Sequence, residues 1–117
     1  MIDYIDPIPP VVRFLNNVMD ERVYGNRMPN NSTLPVLVVK SAGGAGYTRL
    51  QVIARANDDV TAMQLLIKVV NLLERYGSEI ALAGCWIERE SNPMPSVDED
   101  TGKPEAWCYL RMEHFEA

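Results

Sequence analysis

Between Tyr47 and Phe115 the hydrophobic period changes from two to nearly four and back to two, and few folds accommodate that order. In YTRLQVIARA (47–56), Leu50, Val52, Ala54 and Ala56 fall on one side, and Arg49, Gln51 and Arg55 on the other, with Ile53 the exception. This is the alternation of a strand with one buried and one wetter face. NDDV then opens a helix: Asn57 or Asp58 can cap it, and the acidic pair suits the positive end of the helix dipole. Val60, Met63, Leu66, Ile67, Val70 and Leu73 form its apolar face, with Thr61, Gln64, Lys68, Asn71 and Arg75 as a polar stripe. Gly77 supplies the stop. Ala62, Leu65, Val69 and Leu72 widen the apolar side, so the helix is expected to be covered by its own sheet and by a neighbouring subunit. AWCYLRMEHF (106–115) returns to alternation, with Cys108, Leu110 and Met112 toward the core and Trp107, Tyr109, Arg111 and Glu113 away from it.

The remaining segments follow from local chemistry. Pro9 and Pro10 suit a first helical turn, and Val11, Val12, Phe14, Leu15, Val18 and Met19 share one face opposite Arg13, Asn16 and Asn17; the spacing predicts a helix over 8–20. ERVYGNR reads as a short strand and MPNNSTLP as turn chemistry. PVLVVK (35–40) and IALAGCWIER (80–89) read as strands, and SNPMPSVDEDTGKPE (91–105) as a long polar loop. The order α-β-β-β-α-β-β predicts an α+β fold, with two helices packed on one face of a mainly antiparallel four- to five-stranded sheet. All of residues 1–117 are expected in a single domain, since a chain of 117 residues buries roughly two-thirds of its unfolded surface, enough for one core.

The glycine-rich KSAGGAGYTR (40–49) invites a phosphate-binding reading, but neither pattern fits. A P-loop needs Lys-Ser or Lys-Thr and a helix directly after its glycines, whereas Gly46 leads into Tyr47-Thr48-Arg49 and a strand. The dinucleotide fingerprint fails at Arg49, where its last glycine would stand. The segment is expected to be a hairpin connection whose mobile tip a partner could order.

Other reactive groups are sparse. His114 stands alone near the end of the last strand and reads as structural or solvated. Glu88 and Glu90 at a strand end, and Asp58 and Asp59 at a helix start, suit solvation and capping better than an acid/base couple. Asp98-Glu99-Asp100 with Glu105 lacks the spacing of a calcium loop. Cys85 and Cys108 lie in apolar runs and are expected as reduced, buried thiols, a disulfide or metal pair being the other reading. No catalytic residue, cofactor or metal is predicted. No apolar run reaches the ~18 residues of a membrane span, and MIDYIDPIPP lacks the basic start of a signal peptide, so a cytoplasmic, membrane-free chain is expected. A net charge of −5 argues against a nucleic-acid grip. Trp107 and Tyr109 on the outward face, with Trp86 on the neighbouring strand, imply either irregular packing under the long loop or a subunit interface.

Four stretches, taken together, resemble a known family. They are VVRFLNNVM; ERVYGNRMPNNSTLPVLVVKSAGG; YTRLQVIARAND with DDVTAMQLLIKVVNLLERY; and ESNPMPSVDEDTGKPEAWCYLRMEHF. The arrangement is similar to that of the tail terminator (tail completion, tail-to-head joining) proteins of long-tailed bacteriophages. The second stretch looks like their valine–aromatic–glycine–x–arginine–x–proline run, followed by proline–x–valine and a glycine pair. The matching positions are Val23, Tyr24, Gly25, Arg27, Pro29, Pro35, Val36, Val38, Gly43, Gly44, Asp98, Gly102 and Pro104; the alternating Glu88-Arg89-Glu90 departs from the pattern.

The resemblance implies a non-enzymatic virion protein of the tail, assembled in the host cytoplasm as a homo-oligomeric ring, expected as a hexamer. Such a ring caps the tube, ends polymerisation of the major tail protein and presents a surface to the head connector protein. Tyr24, Arg27, Met28, Pro29, Ala42, Gly43, Gly44, Ala45, Gly46, Trp86, Trp107 and Tyr109 are the expected partner and subunit surface. Asp98, Glu99 and Asp100 are expected to line a channel through which DNA passes without specific binding, since carboxylates repel phosphates. The alternatives are a head-completion or stopper protein of the connector and, in a different class, a small dimeric ligand-binding α+β module.

Overall fold

The computed structural model describes residues 4–29 and 31–115; Asn30, inside the expected MPNNSTLP turn, lies outside the described residues. In chain order the elements are α1 (Ile8–Val18), β1 (Arg22–Gly25), β2 (Val36–Ser41), β3 (Thr48–Arg55), α2 (Asp59–Tyr76), a 3-10 turn (Gly77–Glu79), β4 (Trp86–Arg89), β5 (Met94–Val97) and β6 (Pro104–Glu113). The fold is α+β, and all six strands belong to one sheet of order β1-β2-β3-β6-β4, with β5 also paired to β6. β1 runs parallel to β2, and every other pairing is antiparallel.

The alternation of β3 and β6 holds in both strands. Leu50, Val52, Ala54, Ala106, Cys108, Leu110 and Met112 enter the core, where Val11 and Leu15 of α1 and Leu66, Val69 and Leu73 of α2 meet them. Both helices therefore cover the same face of the sheet. Burying one such side chain contributes on the order of 1.5–3 kcal/mol, and this shared layer is the main source of stability.

Four expectations need correction. First, residues 91–105 are not one loop: Met94 pairs with Trp107 and Ser96 with Glu105, making a hairpin with β6 and a sixth strand. Pro93 precedes the strand, Pro95 stands within it and Pro104 opens β6, which together disguise it, because proline is tolerated only at the border of a sheet. Second, the strand expected over 80–89 begins only at Trp86. Residues 80–85 form tight turns, Leu82 N–H donating to the Ile80 carbonyl at 2.7 Å and Cys85 N–H to that of Leu82 at 3.2 Å. Third, Gly77 does not end α2 in the left-handed conformation; its φ is −54° and the chain tightens into the 3-10 turn. It sits close to Ile87, where a Cβ would come within 3.4 Å of the backbone nitrogen. Fourth, α2 is rotated relative to the expected face. Ala62, Leu65, Leu66, Val69, Val70 and Leu73 are buried, while Val60 is 60% and Ile67 43% exposed.

The helix starts are chemically explicit. Asp58, not Asn57, caps α2: its carboxylate accepts from Thr61 N–H at 2.7 Å and from the Thr61 hydroxyl at 2.9 Å. Those bonds to Thr61, the backbone one foremost, hold the Asp58 carboxyl below its ordinary range. At α1, Asp6 accepts from Ile8 N–H at 3.0 Å.

Each outer strand carries a stop against further pairing. Asn16 of α1 occupies the border of β1. Glu74 of α2 accepts from Arg89 N–H on β4 at 3.1 Å. Pro95, with no N–H to donate, stands within β5.

Candidate assembly surfaces

The helix-free face of the sheet carries the aromatic residues singled out from the sequence. Register sets them in rows. Tyr24, Val38, Ile53, Trp107 and Met94 form one row across β1, β2, β3, β6 and β5. Lys40, Gln51 and Tyr109 form the next, and Arg49, Arg111 and Glu88 a third.

Arg49 and Arg111 stand directly opposite each other, an arrangement that is destabilising unless relieved. Relief comes from both sides. Arg49 pairs with Glu90 at 3.3 Å, which raises its pKa, and its guanidinium lies 5.3 Å from the Tyr109 ring centre. Arg111 lies 4.0 Å over the Tyr47 ring and 3.6 Å from Glu113. Trp107 meets Tyr109 edge-on, with ring centres 5.3 Å apart. Within one molecule Trp107 and Tyr109 are thus half-buried, and Tyr24 likewise, with Arg22 5.9 Å above its ring. Trp86 is different: it is 48% exposed, at the end of β4.

The hairpin tip answers the phosphate question. Ala42 N–H donates to the Arg49 carbonyl at 2.7 Å and Arg49 N–H to that of Gly43 at 2.8 Å, so KSAGGAG joins two antiparallel strands and no helix follows it. Gly43, Gly44 and Gly46 all take positive φ, and at Gly44 (φ 115°) a Cβ would also run into the Tyr47 carbonyl. Ala42 is half-buried, and Gly43, Gly44, Ala45 and Gly46 are exposed.

The acidic turn lies at the other end of the β3–β6 pair, between Val97 and Pro104. Its three carboxylates play unequal parts. Asp98 accepts from the Thr101 hydroxyl at 2.6 Å and Thr101 N–H at 2.9 Å, and pairs with Arg55 at 3.2 Å. The Thr101 bonds first, and Arg55 second, hold its carboxyl below the ordinary range. Arg55 in turn grips Glu105 at 2.8 Å. Asp98 is therefore a latch holding the turn to the sheet, whereas Glu99 and Asp100 are exposed.

Arg27, Met28 and Pro29 lie in the segment that leads from β1 back to the start of β2. Between this segment and the acidic turn is a cleft of about 390 Å³, with Arg27 and Lys40 on one wall, Asp98, Asp100 and Glu105 on the other, and Met28, Val38 and Ile53 beneath. The interface residues expected from sequence therefore divide among three places, with Tyr24, Trp107 and Tyr109 on the helix-free face of the sheet. The hairpin tip and Trp86 share one end of the sheet, and Arg27 and Met28 border the cleft. Sequence reading missed Lys40 and Arg55 as site residues, and weighed Glu105 only as a cation ligand and not as the partner of Arg55. The opposite charges of Arg55 and Glu105 at strand ends were the available signal, readable only once β3 is paired with β6.

Cys85 and Cys108 are buried and unbridged, and burial pushes both thiols up to about 11. Among the described residues no group of three or more histidine, cysteine or carboxylate side chains could hold a metal ion. Nor is any helix among them long and apolar enough to cross a membrane.

No family model matches this chain, and no curated protein sequence does.

Proposed function

We propose that this chain is a structural virion protein, a tail terminator that assembles as a ring, expected as a hexamer, on the tail tube of a long-tailed phage. The ring ends polymerisation of the major tail protein and offers its other side to the head connector protein, with DNA passing through without specific binding. The observation that carries this reading is that the glycine tip (42–46) and the acidic turn (98–103) project from opposite ends of one β3–β6 pair. A subunit joining two different partners needs two separated contact regions, and both stretches belong to those that resemble the family. The exposed Glu99 and Asp100 suit a channel wall that repels phosphate.

The test is to add the purified chain to polymerising major tail protein and measure tube lengths by electron microscopy. Capped tubes of arrested length support the reading; tubes that grow unchanged overturn it. Binding to the connector without effect on the tube would instead favour the head-side stopper. A small ligand-binding module is the weaker alternative, because the cleft has charged walls and the glycine tip is not among the residues that line it.

A further inference from the structure

The cleft's charges balance in number, Arg27, Lys40 and Arg55 against Asp98, Asp100 and Glu105, but they are unevenly paired. Arg55 is neutralised by Asp98 and Glu105, but Arg27 and Lys40 on the facing wall have no ion pair among the described residues. Between the walls lie Met28, Val38 and Ile53. A matching arrangement stands on β4: Trp86 is 48% exposed, and Glu88, two residues on and so on the same sheet face, is exposed and without an ion pair among the described residues. One site presents cations beside an apolar floor; the other presents a carboxylate beside an indole.

The two cannot meet within one molecule. Ile53 is opposite Trp107 and Trp86 opposite Glu113, which separates them by six steps along β6, roughly 20 Å. They also lie on opposite sides of the sheet order, β4 at one border and the cleft toward β1 and β2.

We infer that the Trp86–Glu88 border of one copy docks into the cleft of the next, the indole on Met28, Val38 and Ile53 and the Glu88 carboxylate between Arg27 and Lys40. The occupant is a second copy of this chain. The charged walls set a single orientation, since Glu88 turned the other way would face Asp100. Two different patches are used, so the association is head-to-tail and closes into a ring if the rotation per step permits. Tryptophan and arginine are the residues most often dominant in such contacts. The inference rests on the ring reading and names the subunit contact within it.

The experiment compares the native chain with Trp86→Ala, Glu88→Lys and Arg27→Glu/Lys40→Glu by light scattering over a concentration series. Trp86, Glu88 and Arg27 are exposed and Lys40 half-buried, so thermal unfolding should match the native chain. Each variant is expected to weaken self-association about tenfold or more, and combining Glu88→Lys with Arg27→Glu/Lys40→Glu should restore it. Independently, Glu88→Cys chains mixed with Lys40→Cys chains should be joined by a short bismaleimide; the buried native thiols leave this probe clean. Assembly unchanged in all variants, with no cross-link, overturns the contact and leaves the ring reading standing. A native chain that stays monomeric and does not cross-link also overturns it, and the tube-capping assay then judges the ring separately.

Discussion

The carboxamide of Asn16 takes the place of a neighbouring strand on Val23: Val23 N–H donates to Asn16 Oδ1 at 3.1 Å, and Asn16 Nδ2 donates to the Val23 carbonyl at 3.0 Å. Val23 is buried, so its backbone groups have little access to water. Removing the partner of a buried donor and acceptor costs about 1–3 kcal/mol. Asn16→Ala should lower unfolding stability by that amount in denaturant titration and accelerate hydrogen exchange at the Val23 amide. Asn16→Asp keeps the acceptor and loses the donor, so an intermediate loss is expected.

The hairpin tip separates two kinds of glycine. At Gly44 an added Cβ meets the Tyr47 carbonyl as well as an unfavourable φ; at Gly46 the space is open and only φ (75°) resists. Gly44→Ala should cost about 2–3 kcal/mol and Gly46→Ala about 1 kcal/mol. Equal losses in thermal or chemical unfolding would show that crowding at Gly44 is relieved at no cost.

Asp58 and Asp98 both have folded pKa values lowered from the ordinary 3.8, chiefly by bonds to Thr61 and Thr101. The unfolded chain therefore takes up protons first as pH falls. The stability these groups contribute is complete above about pH 4 and is lost as pH drops from 3.8 through the lowered folded values. Thermal midpoints should fall below pH 4, and Asp98→Asn, which cannot ionise, should flatten part of that slope. An unchanged slope would remove Asp98 from the account.

Burial keeps both thiols protonated. With folded pKa values of about 11, only about a thousandth of either is thiolate at pH 8. A disulfide reagent should leave Cys85 and Cys108 untouched in the native chain and titrate both in denaturant. Rapid modification of the native chain would contradict their burial.

If the acidic turn lines a channel, reversing Glu99 and Asp100 to lysine should slow DNA passage while subunits still assemble, because neither side chain is in the Asp98–Arg55–Glu105 latch. Particles carrying the substitutions should show delayed ejection; a normal rate removes the channel assignment.

What could be read from sequence follows the physics of each element. β3 and β6 were legible because they lie within the sheet with one face buried, which enforces strict alternation from Leu50 to Ala54 and from Ala106 to Met112. α2 was legible as a helix but not in its rotation: an apolar arc running from Val60 round to Leu73 permits several faces, and the sheet chose the one with Ala62 and Leu65. β5 escaped because Pro95 and its polar neighbours look like a turn until Trp107 and Glu105 pair with them. The parallel β1–β2 pairing escaped too, since four residues, Arg22–Gly25, carry no period that tells direction. Of the residues in the proposed contact, Trp86, Arg27 and Met28 were singled out from the sequence. The facing charges of the cleft were not, because they converge only when the segment after β1 returns alongside the acidic turn.

Asn16, Glu74 and Pro95 together bar the sheet from growing sideways. Copies of this chain therefore cannot merge into one continuous ribbon, which has no natural length. In the proposed ring they would meet as discrete wedges, and the angle between wedges, not the backbone, would count how many make a closed circle.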